Sequence, residues 1–246
     1  MDPLEYERMY RAEDGHWWYR GMACITRALL NRRYRRDRSL RIMDAGCGTG
    51  AAAASYLGEY GRVWGVDLSP EALRFCRKRG GGRWARASVQ QLPFPDDFFD
   101  LVTSFDVLYE RAVSSELGAL REFHRVLASG GCLLLRLPAY EWMRRSHDEV
   151  VHTRRRYTRR EVECLFRGSG FILERLSYAN MILFPAAVLK KISERVFPPP
   201  RPESDLSLNP GAFNDLLGAL LSMEAPWIAR IGLPAGLSVV AMGRRQ

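Results

Sequence analysis

Short apolar runs alternate with amphipathic stretches along most of the chain, and glycine or proline stands at many of the boundaries. The apolar runs have the length of strands, and the stretches between them have the spacing of helices that bury one face. The predicted strands cover residues 40–44, 62–66, 83–88, 100–105, 132–137, 171–177 and 237–242. This alternation predicts an α/β fold in which seven mostly parallel strands are connected by helices on both faces of the sheet.

Two segments depart from the alternation of strands and helices. Residues 4–36 are predicted to be helical, and the segment from about 178 to 234 holds two apolar helical stretches and a proline run at 197–202. We therefore divide the chain into an N-terminal helical cap (1–38), a sheet domain (39–177 and 235–246) and a helical insertion or lid (178–234).

The composition is that of a globular protein with an excess of positive charge. Apolar residues make up 47% of the 246 residues and the net charge is +9, with arginines clustered at 32–36 and 154–160. These clusters fit either solvated helix faces or a surface for nucleic acid, phosphate or anionic lipid. The five cysteines form no CxxC pair, no cluster suggests a metal site and no apolar stretch has the length of a membrane span, so we expect a cytoplasmic protein without a metal.

A glycine-rich loop follows the first predicted strand. Gly46, Gly48 and Gly50 allow the backbone to approach a ligand closely, and Asp67 at the end of the second strand is placed to accept hydrogen bonds from ribose hydroxyls. NAD would fit this pattern of glycines and Asp67 almost as well as S-adenosylmethionine, which has no phosphate. Asp44, two residues before the first glycine, would repel a pyrophosphate but would attract a sulfonium and an ammonium group. Charge therefore favours S-adenosylmethionine over a dinucleotide at this loop.

Three motifs between residues 40 and 137 are more specific than the glycines alone. Residues 42–50 read Ile-Met-Asp-Ala-Gly-Cys-Gly-Thr-Gly, residues 91–102 read Gln-Leu-Pro-Phe-Pro-Asp-Asp-Phe-Phe-Asp-Leu-Val, and residues 123–127 read Phe-His-Arg-Val-Leu shortly before a Gly-Gly pair. Together they resemble the class I S-adenosylmethionine-dependent methyltransferases, in the type 11-like branch that acts on small molecules. The resemblance implies a Rossmann-like fold, S-adenosylmethionine as methyl donor and S-adenosylhomocysteine as product.

The resemblance also implies cofactor contacts at matching positions of the sequence. Around the methionine part of the cofactor it places Gly46, Cys47, Gly48 and Gly50, with Asp44 near the α-ammonium. For the ribose and adenine it implies Asp67, Leu68, Ser88, Val89 and Gln90, although many members carry an aspartate where this chain has Ser88. Phe105 would lie beneath the sulfonium, and Asp106 and Tyr109 would face the acceptor.

Two further clusters are candidates for contacts outside this core set. Tyr19 and Arg20, in an aromatic run at 16–20, would close over the cofactor or would simply pack on the domain. His147 and His152 follow the fifth strand, at the sheet edge where open α/β folds bind ligands, and could act as a general base. The arginines at 154–156 could hold an acidic group of the acceptor. The alternative for this whole stretch is an exposed loop ahead of a capped helix.

We therefore expect in-line transfer of a methyl group from S-adenosylmethionine to an oxygen, nitrogen or carbon atom of a small, hydrophobic or acidic acceptor. The apolar stretches of the insertion could roof that acceptor, form a dimer interface, touch a membrane surface or simply pack on the domain. Methylation of RNA or another macromolecule is an alternative, but the residues after the fourth strand lack the motifs that hold a flipped base. An NAD-dependent oxidoreductase and a non-catalytic cofactor-binding protein are further alternatives. Neither the acceptor nor the oligomeric state follows from the sequence.

Overall fold

A seven-stranded sheet forms the centre of the protein, in a computed structural model that describes residues 3–145, 147–196 and 211–246. The strands are β1 (Leu40–Ala45), β2 (Gly61–Asp67), β3 (Arg83–Arg86), β4 (Phe99–Phe105), β5 (Leu127–Pro138), β6 (Phe171–Ala179) and β7 (Ser238–Arg245). Their order in the sheet is β3-β2-β1-β4-β5-β7-β6, and β7 runs antiparallel to both of its neighbours while the other pairs are parallel. The predicted α/β class is confirmed, and the reversed β7 separates this sheet from the parallel 3-2-1-4-5-6 sheet of dinucleotide-binding domains.

Helices connect the strands and flank both ends of the sheet domain. In the described part of the chain they are α1 (Pro3–Ala12), α2 (Trp17–Leu30), α3 (Ala51–Ser55), α4 (Pro70–Arg79), α5 (Glu116–Val126), α6 (His147–Val150), α7 (Arg159–Gly168), α8 (Phe184–Val196), α9 (Asn214–Met223) and α10 (Ala225–Arg230). None of the helices in the described ranges combines the length and the apolar composition needed to cross a membrane.

Each face of the sheet has its own hydrophobic core, because successive residues of a strand point to opposite sides. On one face Met43 and Val102 pack with side chains of α5 and α7. On the other face Ile42 and Leu101 pack with side chains of α2, α9 and α10. The N-terminal helix α2 and part of the insertion therefore complete the core of the domain and do not merely cover it.

The largest differences between predicted and observed boundaries concern two elements. The continuous helix expected over residues 4–36 is broken at 13–16, where His16 begins α2 by accepting a hydrogen bond from the backbone N–H of Trp18 at its Nδ1 (3.3 Å). Strand β5 begins at Leu127, earlier than expected, because Leu127 already pairs with Phe99 before a register shift in β4. A capping box formed by Thr158 and Glu161 begins α7. The proline run at 197–202 lies outside the described residues.

Candidate cofactor and acceptor site

A cavity of about 920 Å³ opens at the carboxyl ends of the parallel strands. The ends of β1, β2, β4 and β5 contribute Asp44, Asp67, Phe105 and Arg136 to its wall. The N-terminal segment adds Tyr6, Met9, Glu13, Trp18 and Tyr19, and the start of the insertion adds Leu183, Ala187 and Lys190. Open α/β sheets bind ligands at this edge, and the volume lies near the upper end of the roughly 300–1,000 Å³ typical of small-molecule sites. The cavity can therefore hold two reactants at once.

The glycine loop after β1 adopts a backbone conformation that requires glycine. Gly46 has a φ of +80°, and a Cβ atom at this position would lie 2.2 Å from Cγ2 of Val107. Gly48 has a φ of +53°, and its N–H donates to Oδ2 of Asp67 at 2.9 Å. The N–H of Ser69 donates to the other oxygen, Oδ1, at 2.9 Å. Asp67 therefore holds the loop in place while it lines the cavity.

Four carboxyl groups line the cavity around this loop: Asp44 is buried, and Glu13, Asp67 and Glu110 are half-buried. Asp44 is only 3% exposed, and its Oδ1 accepts a hydrogen bond from the Thr103 hydroxyl at 2.8 Å. Burial raises the pKa of Asp44 to about 6, the pKa of Glu13 to about 6 and the pKa of Glu110 to about 7. Burial also raises the pKa of Asp67, and repulsion from Asp67 adds to the shifts of Asp44 and Glu110. A cation bound among these groups would relieve their repulsion.

Glu13 is a cavity residue that the sequence did not reveal. It lies in the break between α1 and α2, accepts a hydrogen bond from the Thr49 hydroxyl of the glycine loop, and pairs with Arg79 of α4 at 3.2 Å. The Arg79 guanidinium also lies 4.6 Å from the ring centre of Tyr10. These contacts fasten the N-terminal segment to the loop and to α4. The only local signal was the Asp14-Gly15 pair, which marks a turn but not a ligand.

Arg136 is a second cavity residue that the sequence did not reveal. It is 8% exposed, near the end of β5, and its guanidinium pairs with Asp106 at 2.7 Å. The same guanidinium lies 4.7 Å from the ring of Trp18 and 4.9 Å from the ring of Phe105. Cation–π contacts of this kind link α2 to the sheet edge. A lone arginine inside an apolar strand carries no sequence signal for such a role.

Most of the predicted cofactor residues line the cavity. Those that do so are Tyr19, Arg20, Asp44, Gly46, Cys47, Gly48, Asp67, Leu68, Val89 and Phe105, together with Tyr109 from the acceptor set. Gly50, Ser88 and Gln90 are not among its lining residues. Gln90 instead accepts a hydrogen bond from the Ser114 N–H at 2.7 Å and donates to the Ser114 hydroxyl at 2.9 Å. Its side chain therefore stabilises the connection between β3 and α5.

Of the two histidines predicted as a general base, His152 is the one whose side chain the structure describes. His152 is exposed, has a φ of +54° and is not among the residues that line the cavity. Its chain neighbours Val151 and Thr153 do line the cavity, so His152 lies beside the cavity wall with its own side chain exposed. His147 begins α6, and its side chain lies outside the described part of the structure.

The arginines at 154–156 do not form the predicted clamp for an acidic acceptor. Arg154 and Arg155 pair with Glu116 at 2.6 and 3.7 Å. Arg156 does line the cavity, but it pairs with the buried carboxylate of Asp148 at 2.9 Å. These carboxylates lie outside the run of arginines in the sequence. The folded protein therefore carries less net positive charge around residues 154–156 than the sequence suggests.

The comparison with known families identifies one domain. Residues 43–135 match a family model whose description is "Methyltransferase domain". Among curated proteins, the ubiquinone/menaquinone biosynthesis C-methyltransferase UbiE of Proteus mirabilis is 36% identical over 109 residues, which are 40% of this chain and 42% of that protein. The UbiE protein of Yersinia pestis is 37% identical over 109 residues, again 40% of this chain and 42% of that protein. The matched segment thus spans about two fifths of the curated relatives.

Solved structures share the fold along nearly the whole chain. An S-adenosylmethionine-dependent methyltransferase from Thermotoga maritima has a TM-score of 0.62 at 19% identity, covering 99% of this chain and 95% of that one. Geranyl diphosphate C-methyltransferase from Streptomyces coelicolor has a TM-score of 0.60 at 15% identity, covering 90% and 76%. The [4+2]-cyclase SpnF has a TM-score of 0.61 at 19% identity, covering 94% and 86%. Such distant similarity establishes the fold alone, and the cyclase is a reminder that one fold can host different chemistry.

Proposed function

We propose that this chain, which carries a class I S-adenosylmethionine-dependent methyltransferase domain, transfers the methyl group of that cofactor to a small-molecule acceptor. The observation that carries the proposal is one cavity in which the glycine loop and four buried or half-buried carboxyl groups meet apolar side chains of the insertion. The loop and the carboxyl groups suit a cationic cofactor, and the apolar side chains suit an apolar acceptor. The C-methyltransferase name of the curated relatives favours a carbon atom as the nucleophile.

The residues around the loop fit S-adenosylmethionine better than a dinucleotide. The bound cofactor supplies an electrophilic methyl group on a sulfonium. Asp67 would accept hydrogen bonds from ribose hydroxyls, and Asp44 would face the α-ammonium. Leu68 and Val89 would contact the adenine. Four carboxyl groups would repel a pyrophosphate, which makes NAD a poor ligand for the same cavity.

The acceptor would lie between Phe105, Tyr109 and α8. Tyr109 is 7% exposed, and burial holds the pKa of its hydroxyl well above the usual value. The hydroxyl therefore stays protonated near neutral pH, and we assign it a positioning role as a hydrogen-bond donor to the acceptor rather than that of a base. Phe105 and Trp18 enclose Arg136 and would help to exclude water from the region of transfer. An apolar acceptor fits this environment better than an acidic one.

The segments 1–38 and 178–234 would act as covers for the two reactants. Both contribute side chains to the cavity, namely Glu13 and Trp18 from the first and Leu183 and Lys190 from the second. A ligand would enter by displacing α8, which lines the cavity without belonging to the core, while α2, α9 and α10 stay packed on the sheet. A peripheral contact of the second segment with a membrane is a separate hypothesis, independent of methyl transfer.

Calorimetric titration with S-adenosylmethionine, S-adenosylhomocysteine and NAD tests the cofactor part of the proposal. Micromolar binding of the two sulfur compounds without binding of NAD is the expected result. Binding of NAD alone would overturn the proposal.

Transfer of a labelled methyl group from S-adenosylmethionine then tests the acceptor part. Extracted lipids and water-soluble metabolites should be offered in parallel with total RNA. Label in the lipid or metabolite fraction supports the proposal, and label in RNA alone supports the macromolecular alternative. Cofactor binding without transfer to any fraction would favour a non-catalytic protein or another reaction of this fold.

A further inference from the structure

Helix α8 is apolar on two opposite faces. Ala186 and Ala187 line the cavity from its inner face, together with Leu183 just before the helix and the stem of Lys190. Leu189 and Ile192 are 67% and 55% exposed, and at 100° per residue they lie on the opposite side of the helix. A helix that covers a site in a water-soluble domain normally turns a polar face outwards. We therefore expect the outer face of α8 to contact a partner.

A second apolar stripe lies on the other two helices of the insertion. Phe213, Leu216, Met223 and Trp227 are all more than half exposed, on the side of α9 and α10 that faces away from α2. They are separated by three, seven and four residues, and residues at these spacings lie on the same face of a helix. Eight of the twelve large apolar side chains that are exposed among the described residues belong to the insertion.

Glu224 fastens the two apolar regions together. This buried carboxylate accepts hydrogen bonds from the N–H groups of Asn180 and Ile182 at 2.7 and 2.8 Å. The backbone of Ile182, whose side chain is 41% exposed, is therefore held next to the end of α9. Exposed Trp142 lies near the start of α8, with its ring 6.0 Å from that of Phe184. We use the name insertion surface for the exposed side chains of Ile182, Leu189, Ile192, Phe213, Leu216, Met223 and Trp227.

Charge favours a lipid bilayer over a second copy of the chain as the partner of the insertion surface. Besides the cavity-lining Lys190, which pairs with Glu194 at 3.8 Å, α8 carries the cations Lys191 and Arg195, and the whole chain has a net charge of +9. Apolar side chains bordered by cations bind the interface of anionic bilayers, where tryptophan side chains are also favoured. A second copy would bring the same positive charge to the contact.

We propose that the insertion surface docks on anionic lipid bilayers and that an acceptor dissolved in the bilayer reaches the cavity past α8. The outer face of α8 would sit among the lipid headgroups while its inner face lines the route to Tyr109. The route for the acceptor rests on the proposed methyl transfer, whereas docking itself does not.

Co-sedimentation of the full chain with phosphatidylcholine vesicles, with and without phosphatidylglycerol, tests the docking. Binding should be strong only with the anionic lipid. The double variant Leu189→Asn/Ile192→Asn should bind about tenfold more weakly or worse, because two apolar side chains no longer enter the bilayer. Ile172→Asn is the control. Ile172 is exposed at the start of β6, at the end of the sheet opposite to the cavity, so this variant should bind like the unaltered protein.

Quenching of tryptophan fluorescence by brominated lipids locates the contact. Quenching should occur on binding and should fall clearly in the double variant Trp142→Phe/Trp227→Phe. Absence of binding to anionic vesicles, equal binding by the Leu189→Asn/Ile192→Asn variant, or a stable dimer in light scattering that this variant dissociates would each overturn the proposal. Calorimetry with S-adenosylmethionine on the same samples separates the two hypotheses, because loss of vesicle binding with intact cofactor binding refutes only the docking.

Discussion

The glycine loop and the helical insertion border the same cavity but are specified in different ways. At the loop, backbone conformation and close packing restrict individual positions, as at Gly46 and Gly48. At the insertion, α8 and α9 contribute apolar side chains whose shape and volume can be exchanged for others with little loss. The cofactor end is therefore fixed residue by residue, while the acceptor end can change its substrate without changing the fold.

The largest effect is expected at the loop. Gly46→Ala places a Cβ atom 2.2 Å from Val107 in a left-handed conformation. We expect a loss of about 2–5 kcal/mol in the free energy of unfolding, from left-handed strain and overpacking together, with loss of cofactor binding. Urea denaturation measures the first and calorimetry the second. In a Val107→Ala background the loss should shrink to the strain alone, and an equal loss in both backgrounds would contradict the explanation.

Asp67→Ala should weaken the binding of S-adenosylmethionine by about tenfold or more. The substitution removes the acceptor for the ribose and also the acceptor for the N–H groups of Gly48 and Ser69. Asp67→Asn keeps one acceptor oxygen and should give an intermediate affinity. Unchanged affinity in the alanine variant would mean that the ribose is held elsewhere.

The carboxyl groups should make cofactor binding depend on pH. Asp44 and Glu13 have a pKa raised to about 6, and Glu110 has a pKa raised to about 7. Because a bound cation favours the ionised forms, binding should release protons, and affinity should rise severalfold between pH 5 and 7.5. Asp44→Asn should flatten this rise. S-adenosylhomocysteine lacks the sulfonium charge and should show a weaker dependence.

The same raised pKa values predict how the stability of the cofactor-free protein changes with pH. Because folding raises the pKa of these groups, the folded state holds more protons than the unfolded state between about pH 4 and 7. The stability present at low pH should therefore be lost as pH rises through 6 and 7. Melting temperatures with and without S-adenosylmethionine should diverge over this range, and parallel curves would contradict the assignment.

The smallest effect is expected in the insertion. A Cβ atom added at Gly218 of α9 would lie 3.6 Å from Cα of Trp17, which is ordinary contact. Gly218→Ala should therefore stabilise the protein by up to about 1 kcal/mol, because alanine favours the helix. Cofactor affinity should stay within about twofold. Gly21→Ala is the contrast, since its Cβ would lie 2.5 Å from Leu221 and should destabilise the same helix pair.

The sequence predicted the sheet and the loop because both depend on local signals. Alternating apolar runs specify buried strands, and the glycines with Asp67 specify the loop. The order of the strands and the reversed β7 did not follow from the pattern, since they depend on contacts between distant segments.

The contacts that close the cavity could not be predicted from the sequence for the same reason. Glu13 acquires its role from Thr49 and Arg79, and Arg136 acquires its role from Trp18 and Phe105. At His152 the position in the sequence suggested a cavity residue. This histidine follows β5 along the chain, but its side chain does not line the cavity.

The position of β7 has a consequence for biosynthesis. Within the described ranges β6 pairs only with β7, and β7 is translated only after the entire insertion. While the ribosome is still making that insertion, the edges of β5 and β6 carry unpaired hydrogen-bonding groups and nascent apolar faces. The wait lasts several seconds at common elongation rates of about 5–20 residues per second. During that interval a chaperone, or early packing of α2 on the sheet, would have to shield the growing chain from aggregation.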